Sequence, residues 1–343
     1  MGEAGTSIAA LSGVGCDVIP FLVAPVPYKH VARCAATAPG AKFKVVGPLD
    51  PLVHVGIKKL LQRELAGVLS EEQLGSLPRG FQQLADVVIL NLREELLPHK
   101  REIAEAYLRL VSHAKSVYLR KGPVRGRFRE PGEFELLAGP PRSEVVHKEN
   151  GVYFKFDFHK VMWSKGNLHE RRYLPTLVAD GESVLDMFAG IGYFSLMIGV
   201  HARPRQVWAV EWNPVAYKYL VENVALNGLE GVVRPVFGDC EWVCGMLCRE
   251  GFQADRIVMG VLPAPKDYLD AALSVARPEG CVVHYEGLAD DRDVEPLFSD
   301  VVAAAESVGY GAKLLDHRFV KSYGPRVDHA VLDVFVSRTD QNR

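Results

Sequence analysis

The sequence predicts an α/β protein whose C-terminal half forms a doubly wound, mostly parallel sheet. Residues 183–192 run from an apolar strand through Asp186 into a glycine turn, an arrangement that seats nucleotides at the start of the following helix. The next strand ends in Glu211, 19 residues after Gly192, near the spacing of about 20 at which an acid reaches ribose hydroxyls. The C-terminal half is therefore predicted to bind an adenosine-containing ligand.

Strand and helix patterns alternate beyond residue 158. Parallel strands are expected at residues 183–188, 206–212, 232–237, 256–261 and 281–286. After the second strand, Asn213 is expected to cap a helix that starts with Pro214 and ends before Gly228. Residues 313–320 and 330–336 predict two further strands, which should pair antiparallel because little chain separates them. Five parallel strands and a final hairpin are typical of class I methyltransferase-like (Rossmann-like) domains rather than of nicotinamide dehydrogenases.

The 343 residues are long enough for several domains, and the patterns predict three. These are a small N-terminal domain at 1–78, an α+β RNA-binding module at 79–157 and a catalytic domain at 158–343. The middle module is predicted from a helix at 98–111, which Pro98 begins, and from short strands at 85–90, 116–119, 134–137 and 152–158.

The overall composition is that of an ordinary globular protein, with 48% apolar and 24% charged residues and a formal charge of −2. The chain has no apolar run of about 18 residues and no basic region ahead of a hydrophobic stretch, so neither a membrane span nor a secretory signal is expected. Six cysteines in a chain of this size indicate a reducing compartment. A cytoplasmic location is predicted.

One segment departs from this charge balance. Between residues 115 and 129 there is no acidic side chain, and the basic ones are Lys115, Arg120, Lys121, Arg125, Arg127 and Arg129. A solvated loop is one interpretation of such a run. Phe128, two glycines and a proline in the same segment suit another, in which the segment contacts RNA phosphates with some stacking.

The residues around the glycine turn identify the expected ligand more closely. The turn reads Gly190-Ile-Gly192, and it lacks the third glycine of a dinucleotide fingerprint. Asp186, Glu211 and Asp239 follow the first, second and third strands, where they would face the amino acid end, the ribose and the adenine of S-adenosylmethionine. The Cys240 backbone would lie beside the adenine. Helix capping is the alternative role for such acids, but three in succession favour S-adenosylmethionine.

Three cysteines follow the third strand, and they predict no metal site. Cys240, Cys244 and Cys248 recur every fourth residue along one helix face. This spacing differs from the Cys-x-x-Cys pattern of zinc sites, and no fourth ligand is nearby. They are interpreted as small buried apolar side chains.

The chain resembles two related tRNA-modifying families. These are the archaeal and eukaryotic tRNA guanine-37 N1-methyltransferases and the wybutosine-pathway tRNA aminocarboxypropyltransferases. The resemblance covers about residues 80–338 and rests on five blocks in the same order: Val146-His-Lys-Glu-Asn-Gly151, Trp163-Ser-Lys-Gly-Asn-Leu-His-Glu-Arg171, Asp186-Met-Phe-Ala-Gly-Ile-Gly192, Glu211-Trp-Asn-Pro214 and Lys321-Ser-Tyr-Gly-Pro-Arg326.

Differences between the two families favour the aminocarboxypropyl branch. After strand four, the methyltransferases have a segment similar to Asn-Leu-Pro. This chain reads Met259-Gly-Val-Leu-Pro263 there, so Gly260 offers no side chain in place of the asparagine. The acid after strand two is Glu211, whereas the methyltransferases usually have aspartate. The block that begins Ser164-Lys-Gly-Asn is also similar to the aminocarboxypropyl branch.

The resemblance implies a reaction and further site residues. C7 of 4-demethylwyosine, at position 37 of tRNA(Phe), would attack the γ-carbon of S-adenosylmethionine, and methylthioadenosine would leave. Ser164 and Arg171 would contact the cofactor, with Arg171 on the methionine carboxylate. RNA contacts are expected from Lys321 and Arg326, in a loop between the last two strands, and from the basic residues Arg125, Arg127 and Arg129. No obligate protein partner is inferred, and the sequence identifies no acceptor for the C7 proton.

Other functions stay open at this point. The nearest is a tRNA guanine-37 N1-methyltransferase with an altered strand-four motif, and another is a non-catalytic tRNA-binding protein of the same fold. A small-molecule methyltransferase would leave residues 1–157 without a purpose.

Overall fold

The fold is described by a computed structural model that covers residues 56–122, 126, 130–164 and 166–339, together with four short strands between residues 6 and 45. The chain forms two compact units, Met1–Gly80 and Phe81–Arg343. The additional boundary that the sequence places at residue 157 stays a prediction.

In the described residues of the first unit there are four short strands and two helices. Its strands are β1 (Thr6–Ser7), β2 (Ala9–Leu11), β3 (Val26–Pro27) and β4 (Phe43–Val45), which pair antiparallel as β1 with β3 and β2 with β4. Its helices are α1 (Ile57–Glu64) and α2 (Glu71–Ser76). Helix α2 begins at a capping box, in which Ser70 and Gln73 each accept the other's backbone N–H.

The second unit starts with a four-stranded sheet. Its strands are β5 (Gln82–Leu84), β6 (Val87–Leu90), β7 (Ser116–Lys121) and β8 (Glu133–Ala138), in that order across the sheet. Strands β6 and β7 are parallel, and α3 (Lys100–Leu110) connects them. The predicted helix start at Pro98 falls inside a 3₁₀ turn, Glu94–His99. This turn lowers the cost of a proline that cannot donate a backbone hydrogen bond.

A hairpin of β9 (Glu144–Glu149) and β10 (Val152–Asp157) follows. The sequence patterns do not predict β9, because its polar and apolar residues lie beside a short proline-rich segment. Two asparagines bond the hairpin to the helix Pro214–Leu226 and to the residue that caps its C-terminus. Asn227 bonds both backbone groups of Tyr153, and Asn223 bonds both backbone groups of Lys155.

The seven predicted C-terminal strands are confirmed as one sheet. They are β11 (Ser183–Asp186), β12 (Gln206–Glu211), β13 (Val233–Phe237), β14 (Arg256–Met259), β15 (Cys281–Asp290), β16 (Tyr310–Gly324) and β17 (Val327–Arg338). Their spatial order is β13-β12-β11-β14-β15-β17-β16. The first five run parallel, and β17 is antiparallel to both β15 and β16. This is the predicted class I methyltransferase-like architecture.

Helices cover both faces of this sheet. They are α4 (Leu168–Tyr173), α5 (Ser195–His201), α6 (Pro214–Leu226), α7 (Cys240–Arg249), α8 (Leu269–Ser274) and α9 (Glu295–Ser307). The predicted start of α6 is confirmed, because the Asn213 side chain accepts the backbone N–H groups of Val215 and Ala216. Among the described residues, no helix has the length and apolar character needed to cross a membrane.

The core lies on both sides of the parallel strands, as expected for a sheet whose faces are both covered. Successive residues of β11 belong to different apolar clusters: Val184 packs with residues of α5 and α6, and Leu185 packs with residues of α7, α8 and α9. The carboxyl ends of the central strands are therefore held rigidly from both faces.

Candidate active site

A cavity of about 750 Å³ opens at the carboxyl ends of the central strands. Its wall includes Glu211 at the end of β12, Gly190 and Gly260 after the ends of β11 and β14, and Glu286 within β15. The chain runs outward from β11 through β12 to β13 and then crosses to β14 on the other side of β11, so the cavity lies at the topological switch point where open α/β sheets bind ligands.

Glu211 joins the second strand to the glycine turn. Its Oε2 accepts the backbone N–H of Gly190 and its Oε1 accepts that of Asn213, each at 2.7 Å. Burial raises the pKa of this carboxyl group, while these backbone bonds oppose the rise. Because each carboxylate oxygen accepts more than one hydrogen bond, both can still receive ribose hydroxyls. The predicted ribose acceptor thus lies on the cavity wall.

Asp239 and Cys240 also line the cavity, one strand farther along. Asp239 caps α7 by accepting the backbone N–H of Glu241 at 3.0 Å, so helix capping and a place on the cavity wall coexist at this residue. Cys240 and Cys244 are buried, as predicted, but Cys248 is exposed. That part of the prediction is wrong because the helix face turns outward after its second turn.

Asp186 has a different environment from the other two acids. It is fully buried, its Oδ2 accepts the Ser195 hydroxyl at 2.5 Å, and it does not contribute to the cavity wall. Burial raises the pKa of Asp186 to about 6. Contact between its side chain and the cofactor stays a prediction.

The two glycines of the turn have separate roles. Gly190 lines the cavity, whereas Gly192 packs inside the protein. Gly192 has a φ of +98°, and an added Cβ there would lie 2.5 Å from Leu196 Cγ and 3.1 Å from Leu220 Cδ1. Only glycine fits both this backbone angle and this close approach of helices.

Arg171 lies in the cavity wall and is 1% exposed. Its Nε and Nη2 donate to the two carboxylate oxygens of Glu149 at 2.7 and 2.8 Å, and its Nη1 donates to the Ser164 carbonyl at 3.0 Å. The guanidinium lies 5.0 Å from the Trp163 ring and 5.7 Å from the Tyr193 ring. The structure thus brings Ser164 and Arg171 together, and it adds Glu149, which the sequence reasoning did not single out.

The predicted RNA-contacting residues divide into three groups. Lys321 lines the cavity and packs beside Gly166. Arg326 is exposed and forms an ion pair with Asp291. Arg125, Arg127 and Arg129 lie outside the described residues. The predicted loop is shorter than expected, because β16 continues through Lys321 to Gly324 and leaves a turn of two residues.

The rest of the basic segment is partly engaged within the protein. Lys115 pairs with Asp86, and Lys121 pairs with Glu135. Arg120 donates to Gln82 at 2.8 Å and lines the cavity. The segment is therefore not a uniformly solvated loop.

A buried ionic cluster lies next to the helix that carries Arg171. Arg318 donates to both oxygens of Glu170 and to Asp333, and His284 lies between the same two carboxylates. Burial alone would lower the pKa of His284, but its bonds to Asp333 and Glu170 outweigh burial and raise it. The cluster links α4 to β15, β16 and β17, so it positions the block that carries Arg171.

Sequence reasoning missed one acidic residue of the wall. Glu286 is buried on β15 and bonds His329 at 2.9 Å. Its position in a mostly apolar strand was the available signal. Among the described residues, no group of three or more His, Cys, Asp or Glu side chains is arranged to hold a metal ion.

This sheet order, with a glycine turn after the first strand and an acid after the second, defines the class I S-adenosylmethionine-dependent transferases. The donor set fits that cofactor, because carboxylates line the cavity beside both the Gly190 turn and the end of β14. The chain belongs to the TRM5/TYW2 family. Residues 145–310 match the TRM5/TYW2 methyltransferase domain, and residues 61–142 match the TYW2 N-terminal domain.

Individual relatives match most of the chain. The tRNA(Phe) (4-demethylwyosine(37)-C(7)) aminocarboxypropyltransferase of Pyrococcus horikoshii is 36% identical over 83% of this chain and 99% of its own length. The crystal structure of P. horikoshii TYW2 in complex with MeSAdo has a TM-score of 0.68 and 33% identity, and covers 82% of this chain and 100% of that one. The tRNA (guanine(37)-N(1))-methyltransferase Trm5b of Pyrococcus abyssi is 32% identical over 80% of each chain.

Proposed function

We propose that this protein transfers the 3-amino-3-carboxypropyl group of S-adenosylmethionine to C7 of 4-demethylwyosine at position 37 of tRNA(Phe), with release of methylthioadenosine. The observation that carries the proposal is Gly260. It leaves the end of β14 without a side chain, inside a cavity of a chain that aligns with 99% of an aminocarboxypropyltransferase of that specificity.

The structure gives a physical reason for the importance of this glycine. A Cβ at position 260 would lie 2.9 Å from Phe194 Cε2, closer than side chains tolerate. An asparagine, which the methyltransferase branch has there, would need Phe194 to move. Phe194 therefore fills the space beside a bare strand end, and the cofactor's methionine end can adopt a different course from the one it takes in a methyltransferase.

The residues of the wall would divide the work of holding the cofactor. Glu211 accepts the ribose hydroxyls, Asp239 and the Cys240 backbone lie at the adenine, and Ser164 and Arg171 face the methionine carboxylate. Bound S-adenosylmethionine supplies a sulfonium whose alkyl carbons are open to attack. Correct orientation of the attacked carbon is worth about 7–11 kcal/mol for well-placed reactants, so positioning is the chief contribution of this chain.

The tRNA would enter from the side of the cavity where Lys321 lies. Arg326 on the same hairpin and Arg125, Arg127 and Arg129 on the basic segment would contact phosphates of the anticodon arm. Such contacts supply affinity that falls with salt and carry little sequence information. The unit at 1–78 would contact the tRNA body. The proposal places the protein in the cytoplasm and needs no second protein.

The test is the identity of the by-product. Purified protein is incubated with S-adenosylmethionine and tRNA(Phe) that carries 4-demethylwyosine, and the small molecules are separated by chromatography. Methylthioadenosine, together with a position-37 nucleoside heavier by one aminocarboxypropyl group, supports the proposal. Adenosylhomocysteine and methylation of unmodified guanine 37 would identify a methyltransferase instead. Binding of tRNA without either product would identify a non-catalytic protein.

A further inference from the structure

Glu286 is a buried carboxylate at the edge of the cavity, and one of its oxygens lies beside the backbone of Gly260. The residue is 1% exposed and lines the cavity wall. Its Oε2 bonds Nε2 of His329 at 2.9 Å, across the antiparallel pair of β15 and β17. Its Oε1 has no hydrogen-bond partner among the described residues. A buried carboxylate oxygen without a hydrogen-bond donor is unfavourable, so the site favours a ligand that supplies one.

The sheet register places Glu286 opposite the ribose acceptor. One row of the sheet consists of Ala209, Asp186, Val258 and His284 on adjacent strands. Two residues beyond this row, on the same face of the sheet, come Glu211, Gly260 and Glu286. Glu211 and Glu286 therefore lie at the same level, at the two ends of one row.

The separation of these two carboxylates suits the cofactor. Three strand spacings of about 4.8 Å put them roughly 14 Å apart. A hydrogen bond of about 2.8 Å at each end leaves roughly 9 Å between the ligand atoms. That is close to the extended length from a ribose hydroxyl to the α-ammonium group in S-adenosylmethionine.

Gly260 leaves the path between them open. A Cβ at this position would lie 3.5 Å from Glu286 Oε1 and 2.9 Å from Phe194 Cε2. A longer side chain would cover the carboxylate oxygen. The glycine and the glutamate therefore belong to one arrangement, in which only the backbone of Gly260 lies beside the unpartnered oxygen of Glu286.

The other acids near the cavity are already engaged. Both oxygens of Glu211 accept backbone N–H groups, and Asp239 caps α7. Asp186 accepts the Ser195 hydroxyl, and neither of these two residues lines the cavity. His329 bonds the far oxygen of Glu286 and so fixes the orientation of its carboxylate.

We propose that Glu286 Oε1 accepts a hydrogen bond from the α-ammonium group of S-adenosylmethionine and so fixes the aminocarboxypropyl arm beside Gly260. The cation compensates the buried anion, and a charge-assisted bond of this kind is stronger than a neutral one. Glu286, rather than Asp186, is then the acid that recognises the amino acid end. This inference rests on the part of the proposed function that puts S-adenosylmethionine in the cavity, and it does not depend on which group is transferred.

The test compares two ligands by calorimetry, S-adenosylmethionine and methylthioadenosine, which lacks the amino acid arm. The Glu286→Gln variant should bind S-adenosylmethionine roughly 10- to 100-fold more weakly, with unchanged affinity for methylthioadenosine. Retained binding of methylthioadenosine also shows that the variant is folded. Glu211→Gln is the matched control, since it should weaken both ligands alike.

A wild-type measurement keeps the inference testable whatever the variant does. The analogue of S-adenosylmethionine that lacks only the α-amino group should bind the wild type more weakly by a similar factor. Equal binding of the two compounds to the wild type would overturn the inference, as would an equal loss of both ligands, or of neither, in Glu286→Gln. If the wild type binds neither S-adenosylmethionine nor methylthioadenosine, the proposed function itself fails.

Discussion

The backbone N–H of Gly190 donates to Glu211 Oε2 at 2.7 Å, which fastens the glycine turn after β11 to the acid at the end of β12. The Gly190 φ of +59° directs this N–H toward the neighbouring strand. The bond therefore fixes the position of the carboxylate before any ligand binds, and it makes Glu211 part of the turn as well as part of the cavity.

Replacement of Glu211 by glutamine should weaken the binding of both S-adenosylmethionine and methylthioadenosine roughly 10- to 100-fold. The reason is that one of the two carboxylate oxygens that accept ribose hydroxyls is replaced by an NH₂ group, which only donates. Isothermal titration calorimetry measures both affinities. Unchanged affinity for either ligand would mean that the ribose lies elsewhere.

Replacement of Gly260 by alanine should reduce the affinity for S-adenosylmethionine several-fold without unfolding the protein. The new methyl group would lie 2.9 Å from Phe194 Cε2, and Phe194 would have to move into the space that the ligand uses. Gly245→Ala is a matched control, because its Cβ would meet only Arg249 Nη1 at an ordinary 3.6 Å. If both variants bind alike, the bare end of β14 has no role in binding.

The buried cluster around Glu170 should make stability fall in acid. Burial by itself raises the pKa of Glu170, but hydrogen bonds from His284 and Arg318 outweigh it and lower this pKa from 4.5 to about 2. A lowered pKa in the folded state gives stability that is present above the unfolded value and is lost as the pH falls through the folded value. Burial by itself also raises the pKa of Asp333, but hydrogen bonds from His284 and Arg318 outweigh it and lower this pKa to about 2. Asp333 therefore also loses its contribution to stability in acid.

The wild type should therefore lose roughly 3 kcal/mol through Glu170 as the pH falls from about 5 to below 2. Glu170→Gln should be less stable than the wild type at pH 7 by about 3–5 kcal/mol, since the buried Arg318 and His284 lose an anionic partner, and this difference should shrink in acid. Urea unfolding at several pH values measures it. The exposed Glu306→Gln serves as control, and a difference that grows in acid would contradict the assignment.

The basic segment should contribute to tRNA affinity through phosphates. Substitution of Arg125, Arg127 and Arg129 by alanine is expected to weaken tRNA binding and to reduce the slope of log affinity against log salt by about 2–3, while S-adenosylmethionine affinity stays the same. Filter binding at several salt concentrations measures this slope. Arg203→Ala, which removes an exposed arginine paired with Asp180, should leave the slope unchanged.

Local patterns in the sequence determined most of the sheet. All seven strands of the C-terminal sheet, the antiparallel final hairpin and the Asn213 cap follow from alternation, apolar runs and capping residues, which act over a few positions. Glu211 was predictable for the same reason, because its place depends only on a strand end and a fixed distance from the glycine turn. The resemblance added Ser164 and Arg171 through contiguous blocks.

Only the tertiary structure decided which polar groups meet. The Arg171–Glu149 pair joins residues 22 apart, and the Glu286–His329 pair joins residues 43 apart, and neither separation follows from a local period. Strand register sets the Glu286–His329 pair, and the position of helix α4 beside β9 sets the Arg171–Glu149 pair. Packing also leaves Asp186 out of the cavity wall and places Glu286 Oε1 beside Gly260. Sequence patterns specify which face of an element is buried, but a hydrogen bond between distant elements depends on side-chain positions accurate to a fraction of an ångström, which the packed core alone provides.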